Sequence, residues 1–197
     1  MSILNFQKPD KILLQKATDF HGQFEFKPLE PGFGQTIGNS LRRILLSSLE
    51  GYAISAIRIA GVDHEFSSIP GVVEDVVDII LNIKQIRLKS AVKGDKATEH
   101  QIYITISGQD EFRAKDIESR TNMFKVMNPE LLICKMEPSV NLELEMTITK
   151  GRGYVPAEEN MPENAPIGVI PVDAIYTPLK KVSYHVSNTR VGQRTDY

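Results

Sequence analysis

The sequence has one cysteine, no tryptophan and no long uninterrupted apolar run. The single thiol, Cys134, excludes an internal disulfide and a cysteine-based metal site. The longest apolar candidate, VVEDVVDIILNI, is broken by three acidic residues, and no segment approaches the roughly 18 apolar residues of a membrane span. The opening MSILNFQKPDKILL lacks the basic and apolar regions of a signal peptide. We therefore expect a cytoplasmic protein that does not use a membrane.

The chain also lacks a basic excess. Its 197 residues carry a formal net charge of -2. Proteins that bind nucleic acid by neutralising phosphates usually carry many more basic than acidic residues, so a nucleic-acid contact would have to be a local patch. With 41% apolar and 24% charged residues, the composition indicates an ordinary globular protein of one large domain or two small ones.

Motifs of catalysis are missing as well. No G-x-S-x-G sequence occurs, and the four histidines are scattered without a zinc-binding spacing. Glu74, Asp75 and Asp78 have the spacing of carboxylates on one helix face, but no further ligand joins them, so a solvated face is the better interpretation. Cys134 lies in the apolar run LLICKM and is expected to be buried. The sequence predicts no catalytic residue, metal site, cofactor or small-molecule substrate in this chain.

Alternating apolar residues predict several antiparallel strands. In SVNLELEMTITKG the even positions from Val140 to Ile148 are apolar and the odd ones polar, and HQIYITISG places three isoleucines on one face. Other segments with strand character are residues 11–28 with a His-Gly turn, YAISAIRIAG, VDAIYTP and KKVSYHVSN. Residues 151–166 contain the glycines and prolines typical of a loop. Two helices among these strands indicate an α+β fold.

The two predicted helices have different sequence character. Residues 37–50 have apolar residues on one face, with Thr36 as a candidate N-cap and Gly51 as a candidate terminating residue. The second helix is expected over residues 72–86, where many β-branched residues require tertiary packing to hold the helix. Its expected core face consists of Val73, Val76, Val77, Ile80 and Ile83.

The glycines and arginines of PGFGQTIGNSLRRILLSSLEG admit more than one interpretation. Gly32, Gly34 and Gly38 have the wrong spacing for the common phosphate-binding loops, and a glycine in the first helical turn indicates close packing. Leu46 lies beside two arginines, outside the apolar face of the helix. This group is either a solvated face with one stray leucine or a second interface.

Five segments, taken in order, resemble the amino-terminal region of the alpha-subunit family of bacterial RNA polymerases. They are LEPGFGQTIGNSLRRILLSSLEGYAI, GVDHEFSSIPGVVEDVVDIILNIK, GRGYVPA, PIGVIPVDAIYTPLKKVSYHV and RVGQRTD. The resemblance implies a split α+β dimerisation module, residues 1–50 and 175–197, and an inserted β-rich domain, residues 51–174. It implies a homodimer on which the beta and beta-prime subunits assemble, with the active site in those subunits.

The resemblance also implies roles for particular residues. Arg43 is the first expected contact with the beta subunit, and the segment HEFSSIPGVVED is a second. Asp173 to Lys181 would contact beta-prime or beta. The full expected sets are Arg42, Arg43, Leu46, His64 and Glu65 for beta; Phe33, Ile37, Gly38, Leu41, Ile44 and Leu45 for the dimer; and Asp173, Lys180 and Lys181 for beta-prime or beta.

Relatives in this family continue past QRTD with the rest of a strand, a helix, a linker and a carboxy-terminal domain that contacts promoter DNA and activators. On this comparison the chain is expected to lack those parts after Tyr197. Two other functions stay open. One is a nucleic-acid-binding module that uses Lys150, Arg152, Arg190 and Arg194. The other is a nucleotide-binding enzyme that uses the GFGQTIG loop.

Overall fold

The computed structural model describes residues 9, 11–92, 97–161 and 165–189. The chain divides into two compact units, one formed by residues 1–45 with 181–197 and the other by residues 46–180. Twelve strands and three α-helices are found in the described part of the chain. The β-strands are mostly antiparallel, as the period-2 patterns predicted, and the α+β class is confirmed.

The discontinuous unit contains a hairpin, most of one helix and a segment without regular secondary structure. Strands β1 (Lys11–Ala17) and β2 (Gly22–Lys27) pair in antiparallel register, with Leu14 opposite Phe24. Helix α1 runs from Phe33 to Ser47. Residues 181–189, which we call the return segment, belong to no helix or strand, so the prediction of a strand in KKVSYHVSN is wrong. No backbone ladder partners this segment among the described residues, and a strand requires one.

Helix α1 begins and ends earlier than the sequence predicted. Phe33 N–H donates to the carbonyl of Glu30 at 3.0 Å, and this turn starts the helix before Thr36, which lies inside it. The helix stops at Ser47 because Glu50 already pairs with Arg152 in a β-ladder. Gly51 therefore lies in a strand, and both predicted caps are wrong.

The second unit is built on a six-stranded antiparallel sheet. Its order is β5-β9-β3-β4-β7, and β11 pairs with Ala56, Ile57 and Arg58 of β3. Two smaller pairs, β6–β8 and β10–β12, complete the strands of this unit. The bounds are β3 (Glu50–Ile59), β4 (Leu88–Ser90), β5 (Glu99–Ser107), β6 (Glu111–Arg113), β7 (Phe124–Val126), β8 (Leu132–Lys135), β9 (Asn141–Arg152), β10 (Tyr154–Val155), β11 (Val169–Pro171) and β12 (Ala174–Ile175).

The core of this unit follows the predicted alternation. On β9 the apolar positions from Leu142 to Ile148 are buried and their polar neighbours face solvent, and the isoleucines of β5 are buried in the same way. The loop predicted for residues 151–166 is partly wrong, because β9 extends to Arg152, β10 follows it, and Ala157–Asn160 forms a short 3-10 helix. Cys134 is fully buried, as expected, and burial raises the pKa of its thiol to about 12.

Two short helices pack on this core. Helix α2 spans Val76–Ile83 and α3 spans Ala114–Glu118. The prediction for α2 was too long at both ends, and its expected core face is partly wrong. The side chains of Val76, Ile79 and Ile83 are buried, whereas Val73 is 76% exposed and Val77 is 37% exposed.

Candidate functional interface

Helix α1 carries the residues with the clearest division between apolar and basic side chains. At about 100° per residue, Phe33, Ile37, Leu41 and Ile44 share one stripe, with Gly34, Gly38 and Leu45 along one border. None of the residues of α1 is fully buried. Phe33 is 41% exposed and Ile44 is 54% exposed. An amphipathic helix normally buries such a stripe, so part of this one is available to a partner.

Side chains of the return segment lie against the glycines on the border of the α1 stripe. A Cβ atom at Gly34 would lie 2.7 Å from Cγ1 of Val186, and one at Gly38 would overlap the ring of Tyr184. The Tyr184 hydroxyl donates to Oε1 of Gln35 at 3.1 Å. The close packing predicted at Gly38 is therefore confirmed. Side chains fill the space that a phosphate would need beside Gly34 and Gly38, although the space beside Gly32 is open. The contacts at Gly34 and Gly38 argue against the nucleotide-binding hypothesis.

Arg42, Arg43 and Leu46 form a second surface of α1, which we call the arginine surface. Both arginine side chains are exposed, and Leu46 is half-buried. On the helical wheel these three positions lie opposite the apolar stripe. A leucine flanked by two guanidinium groups suits a protein partner, because arginine offers both an apolar stem and a planar set of donors.

The remaining predicted contacts lie in the second unit. The loop between β3 and α2 contains His64 and Glu65, and the Nδ1 atom of His64 lies 3.2 Å from the hydroxyl of Ser67. Beside Glu65, the ring of Phe66 is 81% exposed. Sequence reasoning did not single out Phe66, although a phenylalanine in a polar loop was a visible signal. The exposed ring supplies an apolar anchor of the kind that protein interfaces use.

The predicted contact at Asp173 is tied into its own unit. Its Oδ1 atom accepts the Ala157 N–H at 2.9 Å, and its Oδ2 atom lies 3.5 Å from Nζ of Lys84. The Ala157 N–H holds the pKa of the Asp173 carboxyl below its usual value. The side chains of Lys180 and Lys181 are exposed. Lys180 belongs to the same unit as Asp173, and Lys181 begins the return segment of the other.

Two of the cations named for the nucleic-acid hypothesis, at the end of β9, already contact a carboxylate. Lys150 and Arg152 both contact the carboxylate of Glu50, at 2.8 and 2.6 Å. The hydrogen bond from Arg152, followed by that from Lys150, lowers the pKa of Glu50 to about 2. Because this carboxylate neutralises part of the patch, the nucleic-acid hypothesis is weakened. Its two other arginines, Arg190 and Arg194, lie outside the described residues.

The described residues contain no group of three or more side chains arranged to hold a metal ion. Glu74, one of the three acids considered for such a site, instead accepts the Lys135 N–H at 2.6 Å. Among the helices of the described residues, none is long and apolar enough to cross a membrane.

Comparison with known proteins gives one consistent result. Residues 57–177 match the family described as the RNA polymerase Rpb3/RpoA insert domain. Over all 197 residues the chain is 58% identical to the DNA-directed RNA polymerase subunit alpha of Cytophaga hutchinsonii and 56% identical to that of Flavobacterium psychrophilum. Identity to the subunit of the same name from Salinibacter ruber is 46%. Each match covers 100% of this chain and 59% of the relative.

Proposed function

Since the chain belongs to the RNA polymerase Rpb3/RpoA insert domain family, we propose that it functions as part of the alpha subunit of a bacterial DNA-directed RNA polymerase. In this role it assembles the enzyme and performs no catalysis. Two copies form a homodimer, and the dimer holds the beta and beta-prime subunits, which carry the active site. The chain spans 59% of the length of the relatives described above.

The observation that carries this proposal is the two-sided helix α1. Its apolar stripe is open at Phe33 and Ile44, and the arginine surface lies on the opposite side of the same helix. One helix thus offers an apolar surface for a second copy and a basic surface for a different partner. Each copy in a two-fold dimer presents the same patches.

The two compact units support a division of this work. We assign dimerisation to the discontinuous module, residues 1–50 and 175–197, and treat residues 51–174 as the inserted domain. Beta contacts comprise the arginine surface with His64 and Glu65, and Phe66 extends the second group. Lys180 and Lys181 are the exposed members of the beta-prime or beta contact, while Asp173 holds the nearby backbone in place through Ala157 and Lys84.

Binding of purified beta subunit to the Arg43→Ala variant tests the main contact. We expect the variant to keep its fold and lose about thirtyfold in affinity, because a central interface arginine commonly contributes about 2 kcal/mol or more. Titration of labelled protein with beta subunit, followed by fluorescence anisotropy, measures the loss.

Arg58→Ala is the matched control for this measurement. Arg58 is an exposed arginine on β3 that pairs with Glu145 at 3.7 Å, and its removal changes the net charge by the same amount. It should bind beta like the unmodified chain. Equal affinity of Arg43→Ala and the unmodified chain would remove the arginine surface from the interface.

A further inference from the structure

Strand β5 is the outer strand of the six-stranded sheet and is unusually long and regular for an edge. It has nine residues and pairs with β9 over its whole length without a bulge. Its sequence, EHQIYITIS, contains no lysine, arginine, proline or glycine. Soluble proteins normally protect an edge strand with a basic residue, a proline, a bulge or a very short strand. The other end of the sheet follows that rule, since β7 has three residues.

The register identifies the backbone groups that point away from the sheet. Lys150 N–H donates to the carbonyl of Thr98 at 2.9 Å, so the even-numbered residues of β5 share hydrogen bonds with β9. On β9, Glu143 carbonyl accepts from Ala60, which confirms that odd-numbered residues of β9 face β3. The N–H and C=O groups of Glu99, Gln101, Tyr103, Thr105 and Ser107 therefore point outward. No backbone group of the described residues bonds to them.

The side chains above this edge define the charge of a suitable partner. Between them, β5 and the residues of β9 paired with it carry three glutamates and no lysine or arginine; Glu99 and Glu143 are exposed and Glu145 is half-buried. Tyr103 hydroxyl donates to Glu145 at 3.1 Å, and Arg58 on β3 pairs with the same carboxylate. An added strand would lie about 10 Å from β9, a distance that a lysine and a glutamate side chain span together.

We propose that the outer edge of β5 is a docking site for an extended, basic segment of another protein, which adds to the sheet as a further strand. The five outward N–H groups and five outward carbonyls supply the backbone hydrogen bonds. The exposed carboxylates of Glu99 and Glu143, beside the Glu145 carboxylate that Tyr103 and Arg58 already contact, select lysine or arginine on the solvent face of the incoming strand. A second copy of this chain is a poorer occupant, because its own β5 edge brings further carboxylates and no cation. This site does not depend on the function proposed above.

Hydrogen exchange measured by NMR tests the proposal on the full 197-residue chain. The probe is a capped nine-residue peptide of alternating lysine and valine, at about ten times its dissociation constant. We expect exchange at Gln101, Tyr103 and Thr105 to slow by about tenfold, while Ile102 and Ile104, already bonded to β9, change little. A peptide with glutamate in place of lysine should leave all five amides unchanged.

Two variants separate the edge from general charge effects. Thr105→Lys places a cation on the exposed edge and should weaken peptide binding by about tenfold or more. Gln85→Lys adds the same charge at an exposed position after α2 and should bind the peptide normally. If Thr105→Lys disturbs the fold, Glu143→Gln combined with Glu145→Gln serves instead and should weaken binding by a similar factor.

Three results would overturn the proposal. The first is unchanged exchange at the outward amides with excess lysine peptide. The second is equal binding of the glutamate peptide, which would remove the charge selection. The third is protection of the same amides in the chain alone that grows with protein concentration, since this would assign the edge to a second copy.

Discussion

At the scale of single residues, the glycines of α1 are defined by what packs on them. Gly38 has no conformational need to be glycine, since no positive φ is found there. Its requirement is space: three ring atoms of Tyr184 lie where a Cβ and its surroundings would be. The helix and the return segment of the chain can approach only because this position has no side chain.

Gly38→Ala should therefore destabilise the discontinuous unit. Alanine favours a helix by about 1 kcal/mol over glycine, but the overlap with a whole aromatic ring costs about 1–3 kcal/mol. We expect a lower urea midpoint for this variant and little change for Asn39→Ala, an exposed control on the same helix. Combining Gly38→Ala with Tyr184→Ala should cost less than the sum of the two single variants, because the overlap is absent once the ring is removed, and a strictly additive double variant would contradict the packing explanation.

Gly38 also shows how much of the packing could be predicted from the sequence. A glycine within the first turns of an amphipathic helix predicted close packing, and this was right. The identity of the packing partner could not be predicted, because Tyr184 is distant in sequence and no local pattern encodes the pairing. The arginine surface could be predicted because its residues are close in sequence, and a helical wheel places such residues without tertiary information.

At the scale of elements, the local sequence pattern predicted the buried face correctly where a strand pairs with neighbours on both sides. The alternation from Leu142 to Ile148 predicted the buried face of β9, which has partners on both sides. Helix α2 was predicted too long because tertiary bonds compete for its start. Val73 N–H donates to the carbonyl of Lys135 and Val72 bridges to Met136, so these residues extend a β-pairing before Val76 begins the helix.

The stability contributed by the ion pairs of Glu50, which link the start of β3 to the end of β9, should depend on pH. The pKa of Glu50 falls from its usual value to about 2 in the folded chain, because Arg152 and Lys150 bond to the carboxylate. A lowered carboxyl pKa adds stability above the unfolded value of about 4.5, and this contribution is lost as the pH falls from there toward 2. The group is fully exposed, so salt should reduce the effect.

Urea unfolding of the Glu50→Gln variant and the unmodified chain, at pH 6.5 and at pH 3, measures this contribution. We expect the variant to be less stable at pH 6.5 and to lose less stability than the unmodified chain on acidification. Glu130→Gln is a suitable control, since Glu130 has a side chain that is 82% exposed and lies 3.9 Å from its arginine partner. An equal loss in all three proteins would show that Glu50 does not clamp the strand ends.

At the scale of the whole molecule, the discontinuous unit exposes many apolar side chains for its size. Besides Phe33 and Ile44 on α1, the hairpin exposes Ile12 by 61%, Leu14 by 57% and Phe24 by 59%. Ile12 and Leu14 lie opposite Phe26 and Phe24 in the ladder and share one face. Apolar area of this kind is typical of a surface that a protein partner covers.

Light scattering should therefore give the mass of a dimer for this chain. Ile44→Glu puts a charge on the open stripe and should shift the protein toward the monomer mass, because an unpaired carboxylate is unfavourable in an apolar contact. Asn39→Glu introduces the same charge on the opposite side of α1 and should leave the mass unchanged. A monomer mass for the unmodified chain would contradict the proposed homodimer.

The meeting of Gly51 with Tyr176 has a consequence for the order in which the chain folds. The carbonyl of Tyr176 occupies the space of an absent Cβ at Gly51, so the folded second unit, residues 46–180, holds the chain close together near its two ends. A flexible chain of that length would oppose loop closure by about 3 kcal/mol more than a short turn does. An insert that folds first removes this entropic barrier. The two halves of the discontinuous unit then come together with the entropic cost of a short connection.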